Sequence, residues 1–381
     1  MAAESWFPTA QLALDGIFQR RTQGIPTWGL FVMQHSAIER IAGAQPGAYR
    51  ADPVAIYLKM QQSLGACLLD QWIPHNPLTM GDLGYEDESD VRQQATSGIR
   101  EIVCDGIRID GPEAVAEHLE RVVFPALRSA IAGFDEAQRV AEIIAEERRI
   151  QRLFGPGILK TGYGFIAFPA FAYTTYGYEA YFEAYALYPE VVERHFALQA
   201  DYAVLNNRAA ARAYAEGGFP PLYRLDHDMA DSRGLLVRPQ SLDRLWMPHF
   251  ARALAPVLAL PELRLIWHCD GNLMALVPRL LEVGIRGFQG FQTETGMDYP
   301  AICRMRDREG QPLLIKAGVS VTRTLPYGRP ADVKRELDTL VALGPETGLF
   351  LGASSSITPG VPWENLATLI DGLAYYRNHG R

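Results

Sequence analysis

The chain has few cysteines, and its charge is not clustered. Cys67, Cys104, Cys269 and Cys303 are far apart and form no Cys-x-x-Cys pair of the kind found in zinc knuckles and redox sites. Lys and Arg number 36 against 44 Asp and Glu, so the net charge is -8, and no run of five like charges occurs. A nucleic-acid-binding protein would show a basic face, so this class is disfavoured and no nucleic-acid partner is expected.

Long apolar runs are also missing. The longest, residues 164–173, contains Pro169 and is about half as long as the roughly 20 residues that span a bilayer. The first residues carry Glu4 and lack a basic segment followed by an apolar one, which argues against a signal peptide. We therefore expect a soluble cytoplasmic protein with no membrane partner, a setting that also suits scattered cysteines.

Hydrophobic residues are plentiful, at 48% of the 381 residues, which is enough to bury a large core. Short β-like runs alternate with longer helical patterns, and this favours an α/β fold with a mostly parallel sheet. The β-like runs are residues 25–34, 66–72, 161–170, 222–230, 263–272, 285–294, 313–322 and 348–356. Eight strands, each followed by a helical crossover, predict a (β/α)8 TIM barrel. The alternative is an open doubly wound sheet, but no Gly-x-Gly-x-x-Gly follows the first strand.

The domain prediction is a single barrel over residues 1–381, with residues 90–158 inserted in its second crossover. This stretch holds a β-like piece, GIREIVCDGIRID, and two charged helical patterns. Barrels of this type typically need about 250 residues, so an insertion accounts for the additional length.

Polar and ionisable residues gather where the predicted strands end. Because the active site of a barrel lies at the carboxyl ends of its strands, these residues predict a catalytic site there. They are Gln34 and His35, Asp70 and His75, Tyr173 and Tyr176, Asp226 to Asp228, His268 to Asp270, Gln292 and Glu294, Ser320 to Arg323, and Ser354 to Ser356.

The segment WHCDGN is the most informative of these strand ends. Side chains alternate along a strand, so His268 and Asp270 share one face and Cys269 points the other way. His268 and Asp270 could act as a general acid/base pair or as two ligands of one metal ion. The alternative is structural, with His268 packed in the core and Asp270 capping the following helix.

Three further acids lie at strand ends. By the same alternation, Asp226 and Asp228 share a face and could hold a cation, a substrate amine or a proton, or could orient an arginine such as Arg224. Glu294 could be a third metal ligand, a base or an exposed loop acid. We assign binding of a small-molecule substrate to Gln34, His35, Asp70, Tyr173, Tyr176, Gln292, Arg323 and Ser355.

Three segments carry a family resemblance: DHDMADSRGLLVRP at 226–239, HCDGN at 268–272, and GLFLGASSSITPGVPWENL at 348–366. This combination resembles the uroporphyrinogen decarboxylase (URO-D) superfamily from residue 222 onward. The resemblance implies a (β/α)8 barrel. It also implies either porphyrin decarboxylation or zinc-dependent methyl transfer to or from a corrinoid protein.

This chain departs from both branches of that superfamily. The decarboxylase carries arginines after the first strand that match the substrate's carboxylates, whereas this chain has Gln34 and His35 there. Unmatched buried carboxylates cost several kcal/mol, so uroporphyrinogen III is not the expected substrate. The resemblance to the corrinoid methyltransferases implies His-x-Cys on the strand at 263–272 and a second Cys just before the last helix. This chain has His268 at the first place, Asp270 in place of that Cys, and Ser355 in place of the later one.

The resemblance therefore implies a zinc site that includes His268 and Asp270. A serine is a poor third ligand, so Glu294, Asp228 or Cys269 would complete the set, and we predict His268, Asp270 and Glu294. A bound zinc ion would polarise a substrate oxygen or activate a thiolate.

The leading functional hypothesis is an enzyme that transfers a methyl group between a small organic substrate and a corrinoid protein, as a demethylase-type methyltransferase. His268, Asp270, Asp226 and Asp228 are the predicted catalytic residues. The second hypothesis is a metal-free decarboxylase (a carboxy-lyase) acting on a non-porphyrin carboxylic acid. In that case an arginine such as Arg323 would hold the carboxylate, and an acid among Asp70, Asp226 and Asp228 would protonate the product carbanion. The third is a binding protein on a degenerate barrel. Members of the family often form homodimers, so the resemblance also implies a homodimer.

Overall fold

The computed structural model describes residues 6–75 and 102–381. Its first elements are α1 (Pro8–Ile17), α2 (His35–Ala42), α3 (Ala48–Ala51), α4 (Pro53–Ser63) and β1 (Leu68–Leu69). From residue 102 follow β2 (Ile102–Cys104), β3 (Ile107–Ile109), α5 (Pro112–His118), a π-helical turn (Leu119–Val123), α6 (Phe124–Ala132), α7 (Glu136–Phe154) and β4 (Leu159–Lys160).

The remaining elements alternate between helices and short strands. They begin with α8 (Tyr173–Tyr176), α9 (Tyr178–Leu187), α10 (Pro189–Gly217), β5 (Leu222–Asp226), β6 (Ala230–Asp231), β7 (Gly234–Leu235), α11 (Pro239–Leu245), α12 (Met247–Leu258) and β8 (Arg264–His268). They end with α13 (Val277–Val283), β9 (Gly287–Gln289), a 3-10 turn (Thr293–Thr295), α14 (Tyr299–Arg304), β10 (Leu314–Val319), α15 (Thr324–Tyr327), α16 (Pro330–Leu343), β11 (Leu349–Ala353) and α17 (Trp363–His379).

Five strands form one parallel sheet in the order β11-β10-β9-β8-β5. Its register pairs Asp226 with His268, and His268 with Gln289, so the polar ends of neighbouring strands lie side by side. Strands β1 and β4 pair in parallel as a separate two-stranded sheet, while β2 with β3 and β6 with β7 form antiparallel pairs. The predicted α/β class with a mainly parallel sheet is therefore confirmed.

Six of the eight predicted strands contain strand residues, but residues 25–34 do not form a strand. Their backbone makes isolated parallel bridges instead, among them Thr27 with Leu351 and Trp28 with Leu68. The described part of the chain thus holds separate five-stranded and two-stranded parallel sheets rather than one continuous eight-stranded sheet.

The other missing strand, residues 161–170, has its backbone bound by side chains. Gly162 forms a parallel bridge with Tyr223, and several amide and carbonyl groups further along bond to side chains. The Tyr223 hydroxyl accepts two backbone N–H bonds, and Asn207 of α10 both donates to and accepts from Ala167. Buried backbone groups must be paired, and here side chains replace a neighbouring strand, which an apolar sequence run cannot reveal.

Within the region predicted as an insertion, the structure describes β2 through α7, and residues 90–101 lie outside the described residues. Helix α7 begins after Asp135, whose carboxylate accepts from the Gln138 amide at 2.9 Å, and ends before Gly155, whose φ is +63°. Its buried positions, which include Val140, Ile143 and Ile150, recur at helical spacing and face the rest of the protein.

Aromatic side chains fill much of the core between β8 and the helices packed on it. The Trp246 and Phe250 rings stack at 4.3 Å, and Trp267 of β8 meets the Phe250 ring edge-on at 5.4 Å. Pairs of this kind stabilise a core beyond the area that they bury. In the described part of the chain, no helix combines the length and apolar character that crossing a bilayer requires.

Candidate active site

Two aspartates and a histidine converge at the carboxyl ends of β5 and β8. Asp228, His268 and Asp270 each present one ligand atom, and these atoms all lie within 4.8 Å of one another. The His268 Nε2 atom is 4.0 Å from Asp270 Oδ1, and His268 is 7% exposed. We refer to these three residues as the carboxylate–histidine group.

Protein hydrogen bonds fix both carboxylates of this group. The backbone N–H of Asp270 donates to Asp228 Oδ1 at 2.8 Å, and the Ser355 hydroxyl donates to Asp270 Oδ2 at 3.1 Å. The Tyr173 hydroxyl donates to the backbone carbonyl of Asp228 at 2.9 Å. The amide oxygen of Gln292 accepts from the backbone N–H of Gly271 and so holds the turn that follows Asp270.

Two atoms of the group are buried and have no hydrogen-bond partner among the described residues: His268 Nδ1 and Asp270 Oδ1. An unpaired buried carboxylate oxygen is costly, and either a cation or a proton would relieve that cost. Burial, together with the nearby charge of Asp228, raises the pKa of Asp270 above its usual range, although His268 acts in the opposite direction. The site is therefore suited to hold a positive charge.

Cys269 points away from the group, as strand alternation predicts. Its Sγ atom accepts from the Met229 amide at 3.3 Å and donates to the Asp270 carbonyl at 2.9 Å. Burial raises the pKa of the Cys269 thiol well above its usual value. The Sγ atom is thus directed at backbone groups, and Cys269 lies outside the carboxylate–histidine group.

A network of buried charges links β1, β5 and β10. Asp70 Oδ2 accepts from Arg224 Nε at 2.9 Å and from Lys316 Nζ at 2.7 Å, and these three residues are at most 3% exposed. Asp226 Oδ2 accepts from Arg224 at 2.5 Å and from the Tyr163 hydroxyl at 3.1 Å. Asp70 and Asp226 together balance the two cations.

The pKa shifts in this network follow its pairing. Burial alone would raise the pKa of Asp70, but the positive charges of Arg224 and Lys316 hold it well below the usual range. Burial also acts to raise the pKa of Asp226, but the neighbouring His268 and Arg224 outweigh it and lower that pKa. Asp226 therefore makes the arginine pair that the sequence analysis gave as its alternative role.

Glu294, the predicted third metal ligand, lies outside the carboxylate–histidine group, and Asp228 stands in its place. Its Oε1 atom accepts from the hydroxyls of Ser320, at 2.6 Å, and of Thr322. Glu294 is thus engaged with the loop after β10 and not with His268.

The two predicted tyrosines serve different parts of the structure. The Tyr173 ring stacks on His227 at 5.6 Å, and its hydroxyl reaches Asp228. The Tyr176 hydroxyl is 2.8 Å from His118 Nδ1, and His118 Nε2 is 3.0 Å from Asp105 in the β2–β3 hairpin. Tyr176 therefore attaches the hairpin to α8, while Tyr173 supports the carboxylate–histidine group.

Three other predicted residues lie around the same end of the sheet. Gln34 precedes α2 and lines a cavity of about 290 Å³ together with Arg40 and Trp363. The His35 ring is buried and meets Tyr49 edge-on at 4.6 Å. The side chain of Arg323 is exposed, and its backbone N–H donates to the Ser320 hydroxyl.

The sequence analysis missed two residues that shape the site. Lys316 is the single charged residue in the buried strand LIKAGV. A lone charge within an apolar strand predicts a buried ion pair, because buried lysines are almost always paired. Gly290 has φ of +89°, and a Cβ atom there would lie 2.7 Å from the Cys269 carbonyl and 3.1 Å from His268 Nδ1. Gly290 thus leaves room for the His268 ring, which only the fold could reveal.

Neither the protein-family models nor the curated protein sequences match this chain. Among solved structures, a methyltransferase from Methanosarcina mazei is similar, with 14% identity, a TM-score of 0.51, and coverage of 97% of this chain and 99% of that chain. Similarity at this level shows the fold alone and defines this chain as an α/β protein of the architecture seen in that methyltransferase.

Two further matches are more distant. A B12-independent methionine synthase from Listeria monocytogenes has 14% identity, a TM-score of 0.36, and coverage of 62% of this chain and 69% of that one. A B12-independent methionine synthase from Shewanella sp. W3-18-1 has 11% identity, a TM-score of 0.28, and coverage of 49% and 55%. At these TM-scores neither match carries an argument about this chain.

Proposed function

We propose that this chain is an enzyme that transfers a methyl group, with the carboxylate–histidine group as its reaction centre. One observation carries the proposal: Asp228, His268 and Asp270 converge at the carboxyl edge of the sheet, and no described residue donates a hydrogen bond to the buried Asp270 Oδ1. The fold similarity to a methyltransferase supports the same reaction class.

The three side chains fit a divalent cation such as zinc, because imidazole nitrogen and carboxylate oxygen are both accepted zinc ligands. Asp228, His268 and Asp270 would hold the ion, and the unpaired Asp270 Oδ1 would gain its missing partner. A bound ion would act as a Lewis acid on the heteroatom that gives up or receives the methyl group.

The chain's own residues would orient this chemistry. Tyr173 fixes the backbone at Asp228, and Gln292 fixes the turn after Asp270, so both carboxylates are held before substrate arrives. His268 Nε2 faces Asp270, so it is the ring nitrogen that would bind the ion beside that carboxylate. Gln34 and Arg323 would contact more distant parts of a small organic substrate.

The proposal includes a partner and an architecture. The methyl group would be exchanged with a corrinoid on a separate protein, and the enzyme would act as a homodimer.

We also propose that the isolated bridges complete a (β/α)8 barrel, since parallel pairings run from residues 27–28 through β1, β4, β5, β8, β9, β10 and β11 back to residue 27. Residues 1–381 would then be one domain, with residues 90–158 inserted.

A second candidate function is metal-free decarboxylation of a non-porphyrin acid. The raised pKa of Asp270 favours it, because a carboxyl group that keeps its proton can deliver it to the carbanion left by carbon dioxide. In this reaction Arg323 would bind the substrate carboxylate.

Metal analysis combined with a methyl-transfer assay separates the two candidates. We expect about one zinc ion per purified chain. We also expect metal-dependent transfer of the methyl group of methylcobalamin to an added thiol, which leaves a thioether and cob(I)alamin and is followed by the cobalamin absorbance. His268→Ala and Asp270→Asn should lose both the metal and the activity. Asp243→Asn, at an aspartate paired with Arg279 on the surface, is the matched control and should keep both. A wild-type protein that binds no metal and leaves methylcobalamin intact would contradict the proposal.

A further inference from the structure

Ser355 contacts the carboxylate–histidine group from the loop after β11, the strand at one edge of the parallel sheet. It follows β11, and its hydroxyl donates to Asp270 Oδ2 at 3.1 Å across 85 positions of sequence. The Asp270 backbone amide donates to Asp228 Oδ1 at 2.8 Å. One oxygen of each carboxylate is thereby occupied by a protein donor.

The second oxygen of Asp270 remains available. Oδ1 is buried, has no hydrogen-bond partner among the described residues, and lies 4.0 Å from His268 Nε2. A carboxylate with both oxygens free can rotate and coordinate a cation through both of them. The hydrogen bond from Ser355 opposes that turn, since rotation of the carboxylate would break it.

We propose that Ser355 is a positioning residue that makes Asp270 a one-oxygen ligand and so keeps coordination positions open for substrate. This inference rests on the proposed metal-binding function. A cation held by Asp228, His268 and Asp270 through one atom each has three protein ligands, which is the pattern of a catalytic site rather than a closed structural one.

Ser355 would act through Asp270 and not bind the cation itself. A neutral hydroxyl is a weak ligand for zinc compared with imidazole and carboxylate. Its proton also points to Asp270 Oδ2, so its role is that of the outer hydrogen-bond partners that orient metal ligands.

The test compares Ser355→Thr with Ser355→Val, which match in shape and differ in the hydroxyl, together with Ser355→Ala. Each metal-free protein is titrated with Co²⁺, and calorimetry gives the affinity while the absorption spectrum reports the coordination geometry. We expect Ser355→Val and Ser355→Ala to weaken affinity about tenfold or more and to shift the spectrum towards a higher coordination number. Ser355→Thr should resemble the wild type, and so should Ser356→Ala, the neighbouring serine control.

The outcomes separate this inference from the function on which it rests. If the wild type takes up Co²⁺ and Ser355→Val matches Ser355→Thr in both affinity and spectrum, the positioning role is wrong and the metal site stands. If the wild type takes up no Co²⁺, the metal-binding function and this inference fail together. The thermal unfolding of each variant shows whether it is folded, and the Thr and Val pair keeps the comparison valid if Ser355→Ala is not.

Discussion

The buried network around Asp70 gives a quantitative prediction for Asp70→Asn. The carboxylate of Asp70 contacts Arg224 Nε at 2.9 Å and Lys316 Nζ at 2.7 Å, and all three side chains are almost fully buried. The substitution keeps the size and shape of the side chain but removes its charge. Arg224 retains Asp226, whereas Lys316 loses the carboxylate that it contacts.

The magnitude follows from the geometry. At these distances each pair attracts with roughly 6 kcal/mol in an effective dielectric of about 20. Desolvation of the ions offsets much of this attraction, so the intact network is worth far less than the sum of its pairs. Removing one partner is different, because it leaves a buried charge uncompensated. We therefore expect Asp70→Asn to lower the free energy of unfolding by about 3–5 kcal/mol.

The measurement is urea denaturation at pH 7, with Asp243→Asn as the matched control. Asp243 also makes a two-bond pair with an arginine, Arg279, but both side chains are substantially exposed. An exposed pair contributes less than about 1 kcal/mol. The double variant Asp70→Asn with Lys316→Met should be more stable than Asp70→Asn alone, since it removes the unmatched cation.

The pH dependence gives an independent check. In the wild type the pKa of Asp70 is lowered, so its contribution is present above the ordinary value of about 3.9 and is lost as pH falls through the folded value. In Asp70→Asn, burial lowers the pKa of Lys316 without the opposing charge of Asp70. At high pH the unfolded chain therefore binds more protons at Lys316 than the folded chain does. The variant should recover stability as pH rises towards 10. Equal losses in Asp70→Asn and Asp243→Asn would refute this account.

Two further predictions test the site and its surroundings. Gly290→Ala should weaken metal binding and activity at least tenfold, because the added Cβ would lie too close to the His268 ring. Gly310 also has a positive φ, but the space around it is open, so Gly310→Ala should cost only about 1 kcal/mol of stability. Comparable metal affinities in the two variants would contradict the crowding. Burial lowers the pKa of both His195 and His227 to about 4, so each should contribute a fall of about 3 kcal/mol in unfolding free energy as pH drops from about 6.5 to 4. His195→Gln should flatten that slope in denaturation curves taken across the window, and an unchanged slope would show that other groups cause it.

Much of the sheet could be predicted from local pattern. Apolar runs that end in polar residues located β5, β8, β9, β10 and β11, because a strand buried on both faces reads as a short continuous apolar segment. Residues 161–170 have the same pattern and yet form no strand. Their backbone partners include the side chains of Tyr223 and Asn207, and no local rule predicts pairing with side chains so distant in sequence.

Part of the site could also be predicted from local sequence pattern. Strand alternation placed His268 and Asp270 together, and the structure agrees. The choice between Asp228 and Glu294 depended on how the loops after β5 and β9 fold, which alternation does not determine. Pairing of Asp226 with Arg224 is local, two residues apart on one strand, whereas Asp70 with Lys316 joins residues 246 positions apart.

Asp70, Asp226, Asp228 and Asp270 at this end of the sheet divide into two electrostatic roles. Asp70 and Asp226 neutralise Arg224 and Lys316, so that buried network carries no net charge towards the reaction centre. The charge available to a ligand therefore comes from Asp228 and Asp270. Two carboxylates would balance a divalent cation, or one ionised and one protonated carboxyl would serve acid/base chemistry. Both proposed reactions use this pair, and the choice between them depends on whether the buried Asp270 Oδ1 binds a metal ion or a proton.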